Sequence, residues 1–431
     1  MADSLRRPQR SDLRAVAGAA LLAVAYTLAI SLASAISAPA VTIAPIRPPN
    51  AIALAVFLLV SPADWWLYLI GLCAANVFGA ATIGRGLWYA LANGTEVLGA
   101  AFLLRRVTRR SPRLDTLEEC LLFVAIAGVI APIAGATLGS PAVARLSPTV
   151  ETLVAWRTWF LGDAVANITI APALLGVYAL VRSGGGAAKP ARVAEATALG
   201  LSLLAASLPT LGLTGSIPGL RAASLSLLYV PFPLLVWAAI RFGPCGAAFS
   251  NLLLTALAVT SALRDSGPFS RLANPDGVIV LQQFLAIAGA TALTLAGLMA
   301  DRRRATAALA ASEAEQLQTA QSAATSRALL ASVINSTDEL VWLIEPRTHR
   351  LTLFNAAFAA YFRTHYQVAL EPGMKLDDVL EPDRAATWHG LYDRALTEGP
   401  FTIEYSTDRG HLILLLSFSP VSDHGRVSGV S

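Results

Sequence analysis

Long apolar runs, broken by arginines and prolines, fill the first 300 residues, and their lengths predict membrane-spanning helices. A helix needs about 20 mostly apolar residues to cross a bilayer. Such runs lie at 13–37, 48–62, 66–83, 87–105, 117–139, 155–181, 193–213, 222–241, 244–263 and 278–300. The second is short and opens at Pro48–Pro49, so it reads as a partial or broken helix. The count is ten, or eight if short runs pair as re-entrant segments. The run after the N-terminal arginines is long enough to span, so we expect an uncleaved first helix rather than a signal peptide.

After Ala300 the pattern changes. Asp301-Arg-Arg-Arg304 closes the last run, and Ala305 to about Asn335 is rich in Ala, Gln, Glu and Ser with no Gly or Pro, which predicts one continuous linker helix. Leu309, Gln316, Ala323 and Leu330 recur every seven residues, with Ser312, Thr319, Ser326 and Val333 offset by three. Half of this seam is polar, so a short parallel coiled coil between two protomers and a monomeric helix both remain open. From Leu340 the period becomes strand-like: strands at Leu340–Ile344 and Arg350–Phe354, helices near Asn355–Tyr366, Leu376–Leu380 and Pro382–Glu398, then strands at Phe401–Ser406, His411–Pro420 and Arg426–Ser431. That order predicts an antiparallel sheet with helices on one face. The fold expected is therefore a polytopic α-helical membrane bundle (13–300), a linker helix (301–335) and a small α+β domain (336–431).

Composition supports the division. Hydrophobic residues make up 55% of the chain, charged ones only 14%, against roughly a quarter in soluble domains. Met1–Ala300 holds 20 Lys+Arg against 12 Asp+Glu, whereas Asp301–Ser431 holds 12 against 16 and all five histidines. The basic balance thus belongs to the membrane half, where arginines set orientation, and it gives no support to nucleic-acid binding. With the N-terminus inside, 16 positive residues fall on inner segments and seven on outer ones. Both termini are therefore expected in the cytoplasm of a bacterial inner-membrane protein. Cys73, Cys120 and Cys245 lie in apolar runs without CxxC spacing, so neither a disulfide framework nor a zinc site is predicted.

Several pieces carry a family resemblance. Arg47-Pro-Pro-Asn-Ala-Ile-Ala-Leu54, Ala92-Asn-Gly-Thr-Glu96 running into Leu103-Leu-Arg-Arg106, Trp159-Phe-Leu-Gly-Asp-Ala164 with Ala171-Pro172, Pro233-Leu-Leu-Val-Trp237 with Arg241-Phe-Gly243, and Ser266-Gly-Pro-Phe269 occur in order. Together they resemble the first of the MASE (membrane-associated sensor) families, found ahead of histidine kinases and diguanylate cyclases. The resemblance implies a sensory, non-catalytic membrane domain with an unidentified stimulus. Val333–Ile344, Phe354-Asn-Ala-Ala-Phe358 and Leu380-Glu-Pro-Asp383 likewise resemble a PAS (Per-Arnt-Sim) sensor domain over about residues 325–431. In PAS domains the last strand runs into an Asp-Ile-Thr-like exit motif; this sequence stops at Val427–Ser431, so an incomplete last strand and a truncated receptor are expected.

Four polar residues inside the runs are the candidate site. Asn93 and Glu96 are three apart, Asp163 and Asn167 four apart, so each pair shares a helix face. A carboxylate at bilayer depth costs at least ~2.5–3.5 kcal/mol on insertion scales and needs a partner or a watery cavity. Ligand or proton sensing and structural hydrogen bonding between helices both fit this pattern. Arg157 sits six residues from Asp163, on another face, and reads as a snorkelling arginine rather than a counter-ion. Gly184–Gly186 lacks the GxxxxGK[ST] context of a phosphate loop and reads as a flexible connection. Pro132, Pro172, Pro209, Pro231 and Pro233 commonly kink membrane helices. They also occur in transporters, so a secondary transporter with a regulatory tail is the alternative, although no internal repeat supports it. His365 and His389 could ligate a haem, but no motif supports one, and no cofactor or metal is predicted. We find no phosphoacceptor-histidine motif, ATP-binding glycine box, cyclase segment or hydrolytic triad. The expected function is the input module of a homodimeric receptor, relaying a stimulus, an unknown small ligand among the options, from the lipid bilayer to an absent or separate output domain, with no enzymatic activity of its own.

Overall fold

The computed structural model describes residues 10–37, 44–146, 151–182, 190–214, 227–264, 266–269, 275–407, 412–423 and 426–431. The Gly184–Gly186 loop and residues 222–226 of the eighth apolar run lie outside the described residues. The chain divides into two compact units, Met1–Ala308 and Leu309–Ser431.

Among the described residues the regular elements of the first unit are helices: α1 (Arg10–Ala35), α2 (Pro48–Leu59), α3 (Trp65–Phe78), α4 (Ile83–Thr108), α5 (Leu117–Ala125) continuing through a π turn into α6 (Ala131–Leu146), α7 (Thr152–Arg182), α8 (Pro190–Thr210), α9 (Phe232–Leu263) and α10 (Pro275–Asn335). Seven of these described helices are long and apolar enough to cross a membrane, against the ten runs read from the sequence. The difference has two sources. The helices α2 and α3 have only 12 and 14 residues, about 18 and 21 Å at 1.5 Å per residue, short of a ~30 Å hydrocarbon core. The eighth and ninth runs join as α9, which is broken at Gly243 (φ 67°, ψ −157°).

That break reverses the chain. A Cβ added at Gly246 would sit 3.2 Å from the carbonyl oxygen of Ala238, eight residues back, whereas a continuous helix would separate them by about 12 Å. The neighbours on either side run in opposite senses. Phe232 packs on Phe284 and the Arg303 guanidinium reaches the Ile240 carbonyl; Asn251 then bonds Thr169 and Ser261 bonds the Leu211 carbonyl. Two short antiparallel legs therefore occupy one apolar element. Glycine is required at 243 because its positive φ with extended ψ is closed to residues bearing a Cβ.

Helix α2 is central, with eight of its 12 residues buried. Pro48 and Pro49 start it where their missing N–H groups are harmless. Its C-terminal carbonyls would be orphaned in hydrocarbon. Instead the Trp65 indole donates to the Phe57 carbonyl at 3.1 Å, Ser111 to Leu58 at 2.6 Å, and Arg105 to Leu58 and Val60 at 2.8 and 2.6 Å. At the same end Arg110 pairs with Glu119 at 2.7 Å and Arg304 with Asp115 at 2.8 Å. The arginines that the charge count placed inside thus fasten a helix end and two connections, rather than only flanking the spans.

In the second unit α10 ends at Asn335, and Asn355, buried beneath it, donates to the Ile334 and Glu339 carbonyls at 3.2 and 2.7 Å. Strands β1 (Trp342–Ile344) and β2 (Leu351–Phe354) are followed by α11 (Ala356–Tyr366) and α12 (Pro382–Glu398), then β3 (Phe401–Thr407), β4 (Leu412–Phe418), β5 (Pro420–Asp423) and β6 (Arg426–Val430). The pairing order is β2-β1-β6-β5, with β3-β4 as a second ladder. Ser419 joins β4 to β5 and exchanges two backbone bonds with Ser431, at 2.9 and 3.0 Å. The two ladders are therefore one antiparallel sheet with an interrupted fourth strand. The core is aromatic: Trp342 stacks on Phe358 and meets Trp388 and Phe418 edge-on, while its indole donates to Tyr392 at 3.0 Å.

His349 packs against His389, ring centroids 4.2 Å apart, and its Nε2 is enclosed with no hydrogen-bond partner. His389 bonds Asp377 at 2.7 Å, and the exposed His365 stacks on Tyr361. Burial and then His389 hold the His349 imidazole below its ordinary value of 6.5, although Asp393 and Asp377 pull the other way. The unfolded chain therefore takes up this proton first. His349 should cost stability as the pH falls from 6.5 toward the folded value, and nothing above it. Proteolysis of residues 342–430 on heating the full chain should begin at lower temperature at pH 5.5 than at pH 7.5, and His349→Phe should flatten that dependence; an unchanged slope in the variant would assign the effect to other groups.

Candidate functional site

The four candidate residues come from two helices, and the structure brings them together with residues from three more. Asn93 and Glu96 sit in α4, Asp163 and Asn167 in α7, and all four are buried. Their hub is Asn50 in the first turn of α2, itself 1% exposed. Its carbonyl oxygen accepts from the Tyr26 hydroxyl of α1 at 2.7 Å; its amide donates to Asn93 at 3.1 Å and to the Glu96 carboxylate at 3.0 Å. Asn93 passes the chain on to Asn76 of α3 at 2.9 Å, and Asn76 ends it on the Leu72 carbonyl at 2.9 Å. The other Glu96 oxygen accepts from Asn167 at 3.0 Å, whose amide also holds the Ala127 carbonyl at 2.9 Å, within the π turn. Five helices and the π turn are thus tied by one network.

Asp163 lies against the ladder. It is fully buried, with Glu96, Trp159 and Asn50 beside its oxygens, although no donor reaches either oxygen in well-aligned hydrogen-bond geometry. Its counter-ion is Arg47, at 3.4 Å. The Arg47 guanidinium also lies over the Trp159 ring, 3.7 Å from its centroid, which holds the cation by the ring's quadrupole. Arg157 is exposed, in keeping with its reading as a snorkelling residue. An Arg–carboxylate contact at this distance, lacking the bidentate fork, is loosely held.

The same corner reaches α10. Gln282, 0% exposed, donates to the carbonyls of Pro45 at 3.0 Å and Thr158 at 3.1 Å. The Arg47 backbone donates to the Gly162 carbonyl at 3.4 Å. A Cβ on Gly162 would press on the Gln282 amide at 3.2 Å and on the Arg47 side chain at 3.4 Å. Glycine at 162 is what allows the three segments to meet.

Sequence reasoning missed Asn50, Asn76, Tyr26, Gln282 and the role of Arg47. Asn50 and Arg47 were on view inside the Arg47–Leu54 motif. Gln282 carried the one usable signal, a lone amide pair with Gln283 deep in an apolar run. Among the described residues no group of three His, Cys, Asp or Glu side chains is arranged to hold a metal ion.

Membrane-length helices packed around a hydrogen-bonded polar core define a polytopic membrane protein of the receptor or carrier kind. The MASE1 family model matches residues 15–304, and the chain belongs to that family, a membrane-associated sensor domain of signalling proteins. The carrier reading gives way to a sensory one. No curated protein and no solved structure matches the chain.

Proposed function

We propose that the polar core is the sensing element and that α10 carries its state to the C-terminal domain, a PAS-like relay acting on a histidine-kinase or diguanylate-cyclase output. One observation carries this reading: Gln282 bonds directly to the segment holding Arg47 and to α7, and the helix that bears it also contributes Ile334 to the second unit through Asn355. The strand order β2-β1-β6-β5 with β3-β4 beyond supports the PAS-like assignment. The exposed Leu309, Leu330 and Val333 of α10 support a homodimer, because they lie on the heptad seam and are unburied in one copy. The 16-to-seven bias of Lys and Arg supports cytoplasmic termini in a bacterial inner membrane. A stimulus acts only through a difference in its affinity for two conformations, and the loosely held Arg47–Asp163 pair is a contact that can exchange partners.

The test is a fusion of residues 1–431 to a diguanylate cyclase of known activity, with a reporter after Arg304 confirming a cytoplasmic position. Glu96→Gln and Asp163→Asn should each lock cyclic-dinucleotide output at one level while membrane content stays normal. Loss of the protein from the membrane in both variants would make the cluster structural only.

A further inference from the structure

One cavity of about 180 Å³ opens beside the network, lined by residues of α1, α2, α3, α4, α6 and α7. A 150 Å³ cavity admits benzene, so this one is sized for a small organic molecule. Its chemistry is uneven. Arg47 and Arg85 both line it, and among the described residues no carboxylate does. Glu96 lies behind Asn50 and Asn93, whose amide groups are already engaged with one another and with Tyr26 and Asn76. Asp163 lies behind Arg47. An amine entering the cavity would therefore meet two cations and no anion.

Both guanidiniums have donors to spare. Arg47 touches Asp163 through Nε, and Arg85 donates its Nε to the Tyr89 hydroxyl at 3.3 Å with its charge over the Tyr89 ring. Among the described residues no hydrogen bond occupies the terminal nitrogens of either, and Arg85 has no carboxylate partner. Ile30 and Val143 supply apolar wall, which an inorganic ion would leave unused. The planar guanidinium fork matches a carboxylate.

Resting on the sensory reading above, we propose that this cavity binds a small organic carboxylate, its anionic group on the terminal nitrogens of Arg47 and Arg85 and its apolar part against Ile30 and Val143. Binding would pull on the Arg47 guanidinium, sharing its charge between the ligand and Asp163, and so act on the segment that Gln282 clamps.

The experiment uses the full chain in phosphatidylcholine nanodiscs, with benzoate and succinate as probes and benzamide and succinamide as their neutral counterparts. At least one carboxylate should raise the thermal midpoint saturably and bind measurably by calorimetry, and the amides should not. Arg85→Gln should weaken that binding about tenfold or more, the loss of a charge-assisted contact, with an unchanged midpoint in the absence of probe. Arg85 is the chosen position because removing Arg47 would strand Asp163. No saturable response to either carboxylate, or a response undiminished in Arg85→Gln, would overturn the proposal. So would an Arg85-dependent stabilisation that appears only with phosphatidylglycerol in the nanodisc and that neither carboxylate displaces, since the anion would then be a lipid headgroup. Carboxylate binding that leaves the cyclase fusion silent would instead sink the sensory reading and spare the ligand assignment.

Discussion

Asn50→Leu should unfold the membrane unit more readily than a change at any other member of the polar ladder. The substitution preserves bulk and apolar packing around a residue 1% exposed, but it removes three hydrogen bonds together. The Tyr26 hydroxyl loses its acceptor, and Asn93 and one Glu96 oxygen each lose a donor. Interhelical hydrogen bonds in membranes average ~0.6 kcal/mol, which sets a floor near 2 kcal/mol for three. A buried polar group left unpaired costs ~1–3 kcal/mol, so the full effect should exceed that floor. Asn50→Asp tests the cause. It keeps the acceptor for Tyr26 but turns an oxygen toward Glu96, and should destabilise at least as much, whereas an apolar-packing role would make it the milder change. The measurement is unfolding in mixed detergent followed by helix content. A midpoint shift for Asn50→Leu no greater than that of Asn76→Leu, at the far end of the ladder, would show that the network has no hub.

Much of this was legible in the residues. Helical periodicity placed Asn93 with Glu96 and Asp163 with Asn167 on shared faces, and each pair is buried on the core side of its helix. Cost at bilayer depth required partners, and Glu96 has two. The partners themselves were not legible, because they lie 46 and 71 positions away and only helix packing brings them near. The counter-ion of Asp163 shows the same limit. A search along its own helix reaches Arg157, on the wrong face; Arg47 approaches from a connection before a Pro-Pro pair, where periodicity says nothing. The span count differs from the seven membrane-length helices among the described residues for a different reason. Hydropathy measures how apolar a run is, not whether its ends need lipid or protein around them. Helix α2 is apolar enough but ends early, with its carbonyls capped by Trp65, Arg105 and Ser111. The Gly243–Pro244 boundary, by contrast, was visible as a gap between two runs, and it is where the chain turns back.

Gln282→Glu should separate sensing from output. The native amide gives both of its N–H groups to carbonyls, Pro45 on the Arg47 side and Thr158 in α7, in a site with 0% exposure. A carboxylate of the same shape would put acceptor against acceptor twice, and its charge would have no donor there to offset it. The unlinked carbonyls and the repelled side chain would push α10 away from the corner that holds Arg47. Gln282→Met supplies the comparison, with similar volume, no donors and no charge. In the cyclase fusion the response to a saturating stimulus should disappear with Gln282→Glu and weaken with Gln282→Met. Coupling between sites is typically worth ~5–150-fold in affinity, and linkage makes it reciprocal. If Gln282 is the connection, the variants should also lose the effect of output state on occupancy of the cavity, with the intrinsic binding step itself retained. A Gln282→Glu protein that folds, binds and still signals at the native level would place the connection elsewhere along α10, outside the Pro45–Gln282–Thr158 contact.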